Sequence, residues 1–178
     1  IILAHVKEGV DLALKHKLNQ HIIDVIQQHH GTSLVAYFYQ RALQQQEDAR
    51  QGGKIMNIRA EDIPEVREES FRYTGPRPQT REAGIISLAD AIESASRSME
   101  KITPQRIDQL INELIEKRIL DRQLDECNLT MRELRTIAEN FRFTLQNMLH
   151  SRIAYPKEGA ATPEIPRPRA DAPPVSAA

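Results

Sequence analysis

The sequence predicts an all-α protein with one folded domain, and three observations support this prediction. Apolar residues recur at the spacing of one helix face along most of the chain. Capping residues stand just before several of these periodic stretches, and glycine or proline residues separate them. We therefore expect a helical bundle over residues 1–156, followed by a disordered, proline-rich tail over residues 157–178.

The first two helices are predicted from their apolar period and their ends. The first runs to about Lys17, and Asn19 is a suitable N-cap for the second. Gly31 would end the second helix in the C′ position. The inward face of the second helix is predicted to hold three isoleucines: Ile22, Ile23 and Ile26. Residues 34–43 are apolar and aromatic and favour a helix, although so short a run leaves a strand open.

The middle of the chain is predicted to contain an irregular segment and then a central helix. Residues 44–69 turn polar and charged without a sustained period, so we expect a mobile loop there with at most one helical turn. Pro76 and Pro78 fix an extended approach to the next helix. That helix, over residues 79–99, is rich in small side chains, which would permit close packing at the domain centre.

Two further helices are marked by their N-terminal caps. Thr103 is an N-cap followed by Pro104 at the first helical position. Thr130 and Glu133 have the spacing of a capping box, in which each side chain bonds the backbone N–H of the other residue. Both helices continue with apolar residues on one face, so each should pack against the rest of the domain.

Composition excludes several classes of protein. The formal net charge is −1, with acids and bases mixed, which argues against a broad surface for a nucleic-acid polymer or an anionic membrane. A single cysteine, Cys127, excludes an internal disulfide framework. No signal peptide or membrane-spanning apolar run is present. The chain opens at Ile1 in helical rhythm without a Met, so we expect it to be a segment of a longer protein.

The adjacent histidines His29 and His30 are the most informative pair in the chain. They close the second helix, and a third histidine, His5, lies at the edge of the buried stripe of the first helix. Neutral imidazole is a common nitrogen ligand of transition metals. Asp90 falls on the inward side of the central helix, where a carboxylate needs a partner. Three histidines and one aspartate on three helices indicate a metal site.

Each of these residues also has an ordinary structural explanation. Histidines near a helix C-terminus interact favourably with the helix dipole, and His5 could donate to a carbonyl. Asp90 could form a salt bridge with Arg81 or Arg97. The paired histidines point about 100° apart on a regular helix, so they could share an ion only if the helix end is distorted. Residue types and spacing therefore leave both a metal site and these structural roles open.

Five blocks of the sequence, spread from His5 to Pro156, resemble one protein family. They are similar to the C-terminal half of the cytoplasmic HD domain of the seven-transmembrane HD phosphohydrolases, the PgpH-like cyclic di-AMP phosphodiesterases of bacteria. The blocks occur in the order HVKEGVDLALKHKL, IIDVIQQHHGTSLVAYFY, ESFRYTGPRPQTREAGIISLADAIESASRSM, LDECNLTMREL and LHSRIAYP. The resemblance implies an HD-domain-like helical bundle whose N-terminal part would lie upstream of Ile1.

The resemblance also implies a set of metal ligands. His5, His29 and His30 would bind one of two divalent transition-metal ions, iron or manganese, and Asp90 would bind the other. In the family, the site is completed by an earlier histidine and by the His-Asp pair that names the superfamily. No His-Asp dipeptide occurs in this sequence. We therefore expect this segment alone to bind metal weakly and to be inactive.

The function implied by the resemblance is hydrolysis of a phosphodiester bond in cyclic di-AMP by the complete protein. That protein would reside in a bacterial inner membrane, with this domain in the cytoplasm and the transmembrane part upstream. Hydrolysis of another nucleotide, such as a guanosine polyphosphate, and a non-catalytic helical signalling module are the alternatives. Lys7, Arg81 and Arg97 could supply positive charge to a phosphate, although nothing in the sequence singles them out as site residues.

Overall fold

The computed structural model describes residues 2–56, 63–99 and 103–150, and within these ranges the chain is a bundle of α-helices. In chain order they are α1 (Ala4–Lys15), α2 (Gln20–Gln28), α3 (Ala36–Met56), α4 (Arg81–Ser96), α5 (Pro104–Leu120) and α6 (Met131–His150). One turn of 3₁₀ helix, Glu68–Phe71, precedes α4. The all-α prediction is confirmed, whereas the predicted disordered tail lies outside the described residues. None of the described helices is long and apolar enough to cross a membrane.

Short polar side chains set the starts of α2, α4, α5 and α6, because each accepts a hydrogen bond from a backbone N–H of the first turn. Asn19 and Thr103 do so at 2.7 and 3.3 Å, as predicted. Thr130 accepts from the N–H of Glu133 at 3.2 Å, and Glu133 accepts from the N–H of Thr130 at 2.8 Å, which completes the predicted capping box. Thr80 caps α4, so this helix begins two residues later than the sequence period suggested.

The prediction of an irregular segment from Gln44 onward was wrong at its start, because α3 continues to Met56. Glutamine, alanine, arginine and glutamate dominate this stretch, and all four are good helix formers. Side-chain pairs one turn apart add support, since Gln44 donates to Asp48 at 2.9 Å and a similar pair lies nearby. Most of this second half of α3 is exposed, so no apolar period was required for it to be helical.

The hydrophobic core lies between α4, α5, α6 and the connection from α5 to α6. Its buried members are Leu88, Ile92, Ile107, Ile111, Ile115, Leu124, Cys127, Leu134, Ala138 and Leu145. Helix α4 contacts α2, α5 and α6, which agrees with the close central packing that its small residues predicted. Gly84 shows how close this packing is, because a Cβ there would lie 2.9 Å from Sγ of Cys127.

One isoleucine of α2 departs from the predicted inward face. Ile23 is 5% exposed, but Ile22 is 48% exposed. Helix α2 contacts α1 and α4, and adjacent residues point about 100° apart on a helix, so one of the two isoleucines can be covered while the other stays exposed. Hydrophobic patterning alone could not distinguish these two residues.

Replacing Gly84 by alanine is expected to lower the free energy of unfolding by about 1–3 kcal/mol, because the new methyl group overpacks the core. It would also lie 3.0 Å from Cδ1 of Leu129, so there is no free space on either side. Gly52, within α3, is the matched control, since nothing lies within 4 Å of its added Cβ. Gly52→Ala should stabilise the protein by about 0.5–1 kcal/mol, and urea unfolding of both variants would measure the opposite signs.

Candidate metal centre

Three histidine rings converge where the start of α1 meets the end of α2. Nε2 of His5 lies 3.1 Å from Nε2 of His30 and 3.4 Å from Nε2 of His29. One ligand atom from each of the three lies within 4.8 Å of the others, which is the arrangement required to hold one metal ion. The structure thus brings together three of the four metal ligands expected from the sequence.

The end of α2 allows two adjacent histidines to reach the same point. The helix ends at Gln28, His29 occupies the C-cap, and His30 lies in the following turn. Gly31 continues the turn with φ +56°, a conformation that residues with a Cβ rarely adopt. The two imidazole centroids are consequently only 4.0 Å apart. This is the distortion that the shared-ion hypothesis required.

The Nδ1 atom of each ring faces an oxygen acceptor. Nδ1 of His5 contacts the carbonyl of Ile2, and Nδ1 of His29 lies 2.8 Å from the carbonyl of Ile26. Nδ1 of His30 lies 3.5 Å from Oδ2 of Asp90. These oxygens favour the tautomer with the proton on Nδ1, which leaves the Nε2 lone pairs directed at one another.

This donor set fits a transition-metal ion. Three converging lone pairs repel one another in the absence of a cation, so the arrangement is favourable only when an ion or protons lie between them. A metal about 2.0–2.1 Å from each nitrogen requires neighbouring nitrogens to be about 2.8–3.0 Å apart in octahedral geometry and about 3.3–3.4 Å apart in tetrahedral geometry. The two Nε2–Nε2 distances of 3.1 and 3.4 Å lie close to these values.

Asp90 lies on the opposite side of the His30 ring and stands outside the three-histidine group. Its side chain is 43% exposed and forms part of the wall of a cavity of about 760 Å³ that His30 also lines. The salt bridges that offered an alternative explanation for Asp90 are not formed. Arg81 pairs with Glu133 at 2.9 Å, and Arg97 pairs with a glutamate one turn earlier on α4 at 2.8 Å.

Sequence reasoning missed Tyr73, which stacks on the His30 ring. The ring centroids are 4.2 Å apart and the planes differ by 22°, so the tyrosine restricts the orientation of the imidazole. Burial, together with the negative charge of Asp90, raises the pKa of the Tyr73 hydroxyl, which therefore stays protonated near neutral pH. No local signal marked Tyr73, because it lies in an extended segment far from the histidines in sequence.

The His30 ring is held in its neutral form. Burial, followed by the neighbouring His29 and His5 rings and by Arg118, lowers its pKa from 6.5 to about 3. A neutral imidazole is the form that binds a metal ion. The low pKa therefore prepares this ring for coordination at neutral pH.

Without metal, the free energy of unfolding is expected to fall as the pH is lowered below about 6.5. In the unfolded chain His30 binds a proton near pH 6.5, whereas the folded chain resists protonation down to about pH 3. Between these values, His30 costs up to about 1.4 kcal/mol per pH unit. Urea unfolding with a chelator should show a shallower pH dependence for His30→Gln than for the exposed control His16→Gln. Equal slopes would contradict this account.

Comparisons with known proteins relate this chain to one group of enzymes. No protein-family model matches the chain. The chain is 40% identical over 157 residues to the cyclic-di-AMP phosphodiesterase PgpH of Bacillus subtilis, covering 88% of this chain and 20% of that protein. It thus spans about a fifth of the length of the curated relatives that it matches.

Two solved structures of the Listeria monocytogenes phosphodiesterase PgpH HD domain are also similar. The first has a TM-score of 0.70 at 35% identity and covers 84% of this chain and 62% of that one. The second, in complex with cyclic di-AMP, has a TM-score of 0.69 at 36% identity, covering 83% and 61%. HD-domain phosphodiesterases are metal-dependent, which agrees with the histidine group. The helical bundle and these matches together show that the chain is part of an HD domain of the PgpH-like family.

Proposed function

We propose that the intact protein containing this chain is a metal-dependent phosphodiesterase that hydrolyses cyclic di-AMP to the linear dinucleotide. The main support for this proposal is that three imidazole Nε2 atoms converge beside a cavity. Similarity to an HD domain that was crystallised with cyclic di-AMP supports the choice of substrate. Divalent ions bound at the site would supply an activated water and would neutralise charge on the phosphate oxygens.

The residues of this chain would hold and orient the reacting groups. His5, His29 and His30 would bind one ion through Nε2, with each Nδ1 directed at an oxygen acceptor. Tyr73 would fix the plane of the His30 ring by stacking on it. Such outer contacts orient a ligand and typically change metal affinity by about 10- to 100-fold when they are removed.

We propose that the complete site holds two ions, iron or manganese, and that Asp90 binds the second. Asp90 faces the cavity, and its 3.5 Å contact with Nδ1 of His30 is long for a hydrogen bond, so its oxygens are available to a cation. Mixed nitrogen and oxygen ligands suit iron and manganese. Metal analysis of the intact protein should give two ions per chain, and Asp90→Asn should give about one. Two ions in both proteins would refute the role of Asp90.

An assay of the purified intact protein tests the proposed activity and separates it from the alternatives. Manganese- or iron-loaded protein should convert cyclic di-AMP to the linear dinucleotide, and it should leave a guanosine polyphosphate intact. Cleavage of the guanosine polyphosphate alone would favour the other nucleotide hydrolase. Failure to cleave either nucleotide with metal bound would favour a non-catalytic helical module.

We also propose that the intact protein resides in a bacterial inner membrane with this domain on the cytoplasmic side. The family resemblance supports this location, and the buried free Cys127 is compatible with a reducing compartment. Protease added to intact spheroplasts should leave an epitope on this domain protected, and protease added after lysis should destroy it. Cleavage before lysis would place the domain outside the cytoplasm.

A further inference from the structure

Arg118 is a cation in the wall of the candidate active-site cavity. It lies in the last turn of α5, where its side chain is partly buried, and it lines the same cavity as His30, Tyr73 and Asp90. Arg118 therefore lies on the wall of the cavity that borders the proposed metal centre.

No carboxylate forms an ion pair with Arg118 among the described side chains. Of the four partly buried arginines in the described ranges, the other three each have a carboxylate partner. Arg72 pairs with Asp121 at 2.9 Å, Arg77 pairs with a glutamate at 3.4 Å, and Arg142 pairs with Asp108. A guanidinium remains charged in proteins, and charges removed from water normally have a partner. Arg118 is the exception.

Two carboxylates, Asp121 and Asp90, act on the charge of Arg118 without forming an ion pair with it. Asp121 receives two hydrogen bonds from Arg72, at 2.9 and 3.2 Å, and a third from Gln123 at 3.1 Å. Asp90 faces Nδ1 of His30. Arg72 and Gln123 thus engage Asp121, and among the described side chains neither carboxylate pairs with Arg118, so a positive charge without a carboxylate partner remains beside the cavity.

We propose that Arg118 binds a phosphate group of the substrate and holds it against the metal centre. This inference rests on the proposed function and deepens it, because it assigns a substrate-binding residue. The guanidinium presents a planar set of donors that matches two phosphate oxygens, and partial burial strengthens such charge-assisted contacts. A cavity of about 760 Å³ can hold a ligand as large as a dinucleotide.

The first test compares cyclic di-AMP binding and turnover in variants of the intact protein. Arg118→Met should weaken binding of cyclic di-AMP to the metal-free protein, and raise KM in the metal-loaded protein, by about 10- to 100-fold. Arg118→Lys should give a smaller loss, because lysine keeps the charge without the planar pair of donors. Arg122→Met is the matched control, since Arg122 is four residues away, 75% exposed, and paired with Asp125. Arg122→Met should leave the dissociation constant of cyclic di-AMP and the KM within about twofold of their wild-type values.

The second test asks whether Arg118 has a structural role instead. Removing an unpaired, partly buried charge should leave the thermal midpoint unchanged or raise it, so Arg118→Met is expected to be at least as stable as wild type. Arg72→Met should lower the midpoint, because it leaves Asp121 without its partner. Destabilisation by Arg118→Met equal to that by Arg72→Met, with unchanged KM, would overturn the inference.

The outcomes separate this inference from the proposed function. If the wild-type protein cleaves cyclic di-AMP and Arg118→Met has an unchanged KM, the inference fails and the function stands. If the wild-type protein cleaves nothing, the function fails, and binding of cyclic di-AMP to the metal-free protein decides the inference. Weaker binding by Arg118→Met would then support it, and equal or absent binding would overturn it.

Discussion

Replacing His29 by alanine is expected to remove the ion at the three-histidine group and to reduce phosphodiester hydrolysis at least about 100-fold. Of the three histidines that this chain supplies, only His5 and His30 would remain, and the lost Nε2 lies 3.4 Å from Nε2 of His5. His29 occupies the C-cap of α2, where alanine keeps the backbone hydrogen bond to Val25. The fold should therefore survive the substitution. Metal analysis and turnover of the intact protein would measure both losses.

His16 provides the matched control for His29. It occupies the C-cap of α1, as His29 does for α2, but it is exposed and outside the group of candidate ligands. His16→Ala should retain wild-type metal content and activity within about twofold, since exposed side chains away from a site have small effects. Equal metal content in His29→Ala and His16→Ala would contradict the three-histidine centre.

The element boundaries could be predicted where the determining interaction is local. The caps at Asn19, Thr103 and Thr130 bond the first turn of their own helices, so the sequence contains both partners within three residues. Gly31 ended α2 for the same reason, because its positive φ is a property of one residue. The second half of α3 was missed, since an exposed helix needs no apolar period.

The histidine group could be predicted only in part. The adjacent pair and the glycine after it drew attention to the end of α2, and the family resemblance then singled out His5 and Asp90 from other polar residues. The actual convergence on one point depends on how α1 packs against α2, and the sequence does not contain that distance. The sequence analysis left Asp90 open to pairing with Arg81 or Arg97, and the structure pairs both arginines with glutamates instead.

Three residues around the site were not singled out by the sequence analysis. Tyr73, Arg118 and Gln123 approach the histidine pair from segments about 40 to 90 positions later in the chain. Their importance comes from tertiary contacts: a stacked ring, an unpaired charge beside a cavity, and a buried amide. Periodicity and motif spacing describe near neighbours along the chain, so they could not identify any of the three.

Gln123 connects the turn after the histidine pair to the core, and its replacement by leucine is expected to have a large effect on stability. The residue is 1% exposed. Its Oε1 accepts from the N–H of Thr32 at 2.8 Å, and its Nε2 donates to Oγ1 of Thr32 at 2.9 Å and to the carbonyl of Asp121 at 3.0 Å. Leucine fills a similar volume but makes none of these bonds, so several buried polar groups would lose their partners.

We expect Gln123→Leu to lower the free energy of unfolding by about 2–4 kcal/mol and to weaken metal binding by about 10-fold or more. Metal binding should weaken because Thr32 follows the turn that orients both histidine side chains. Unfolding should be measured with a chelator, since a bound ion would itself stabilise the folded state. Gln109→Leu is the control, because Gln109 is exposed and bonds only a glutamate one turn away on α5. If both variants lose less than about 0.5 kcal/mol, Gln123 does not hold the turn, and rigidity at the histidine pair comes from its other contacts, such as the bonds from Ser33 to His30 and from Arg72 to Thr32.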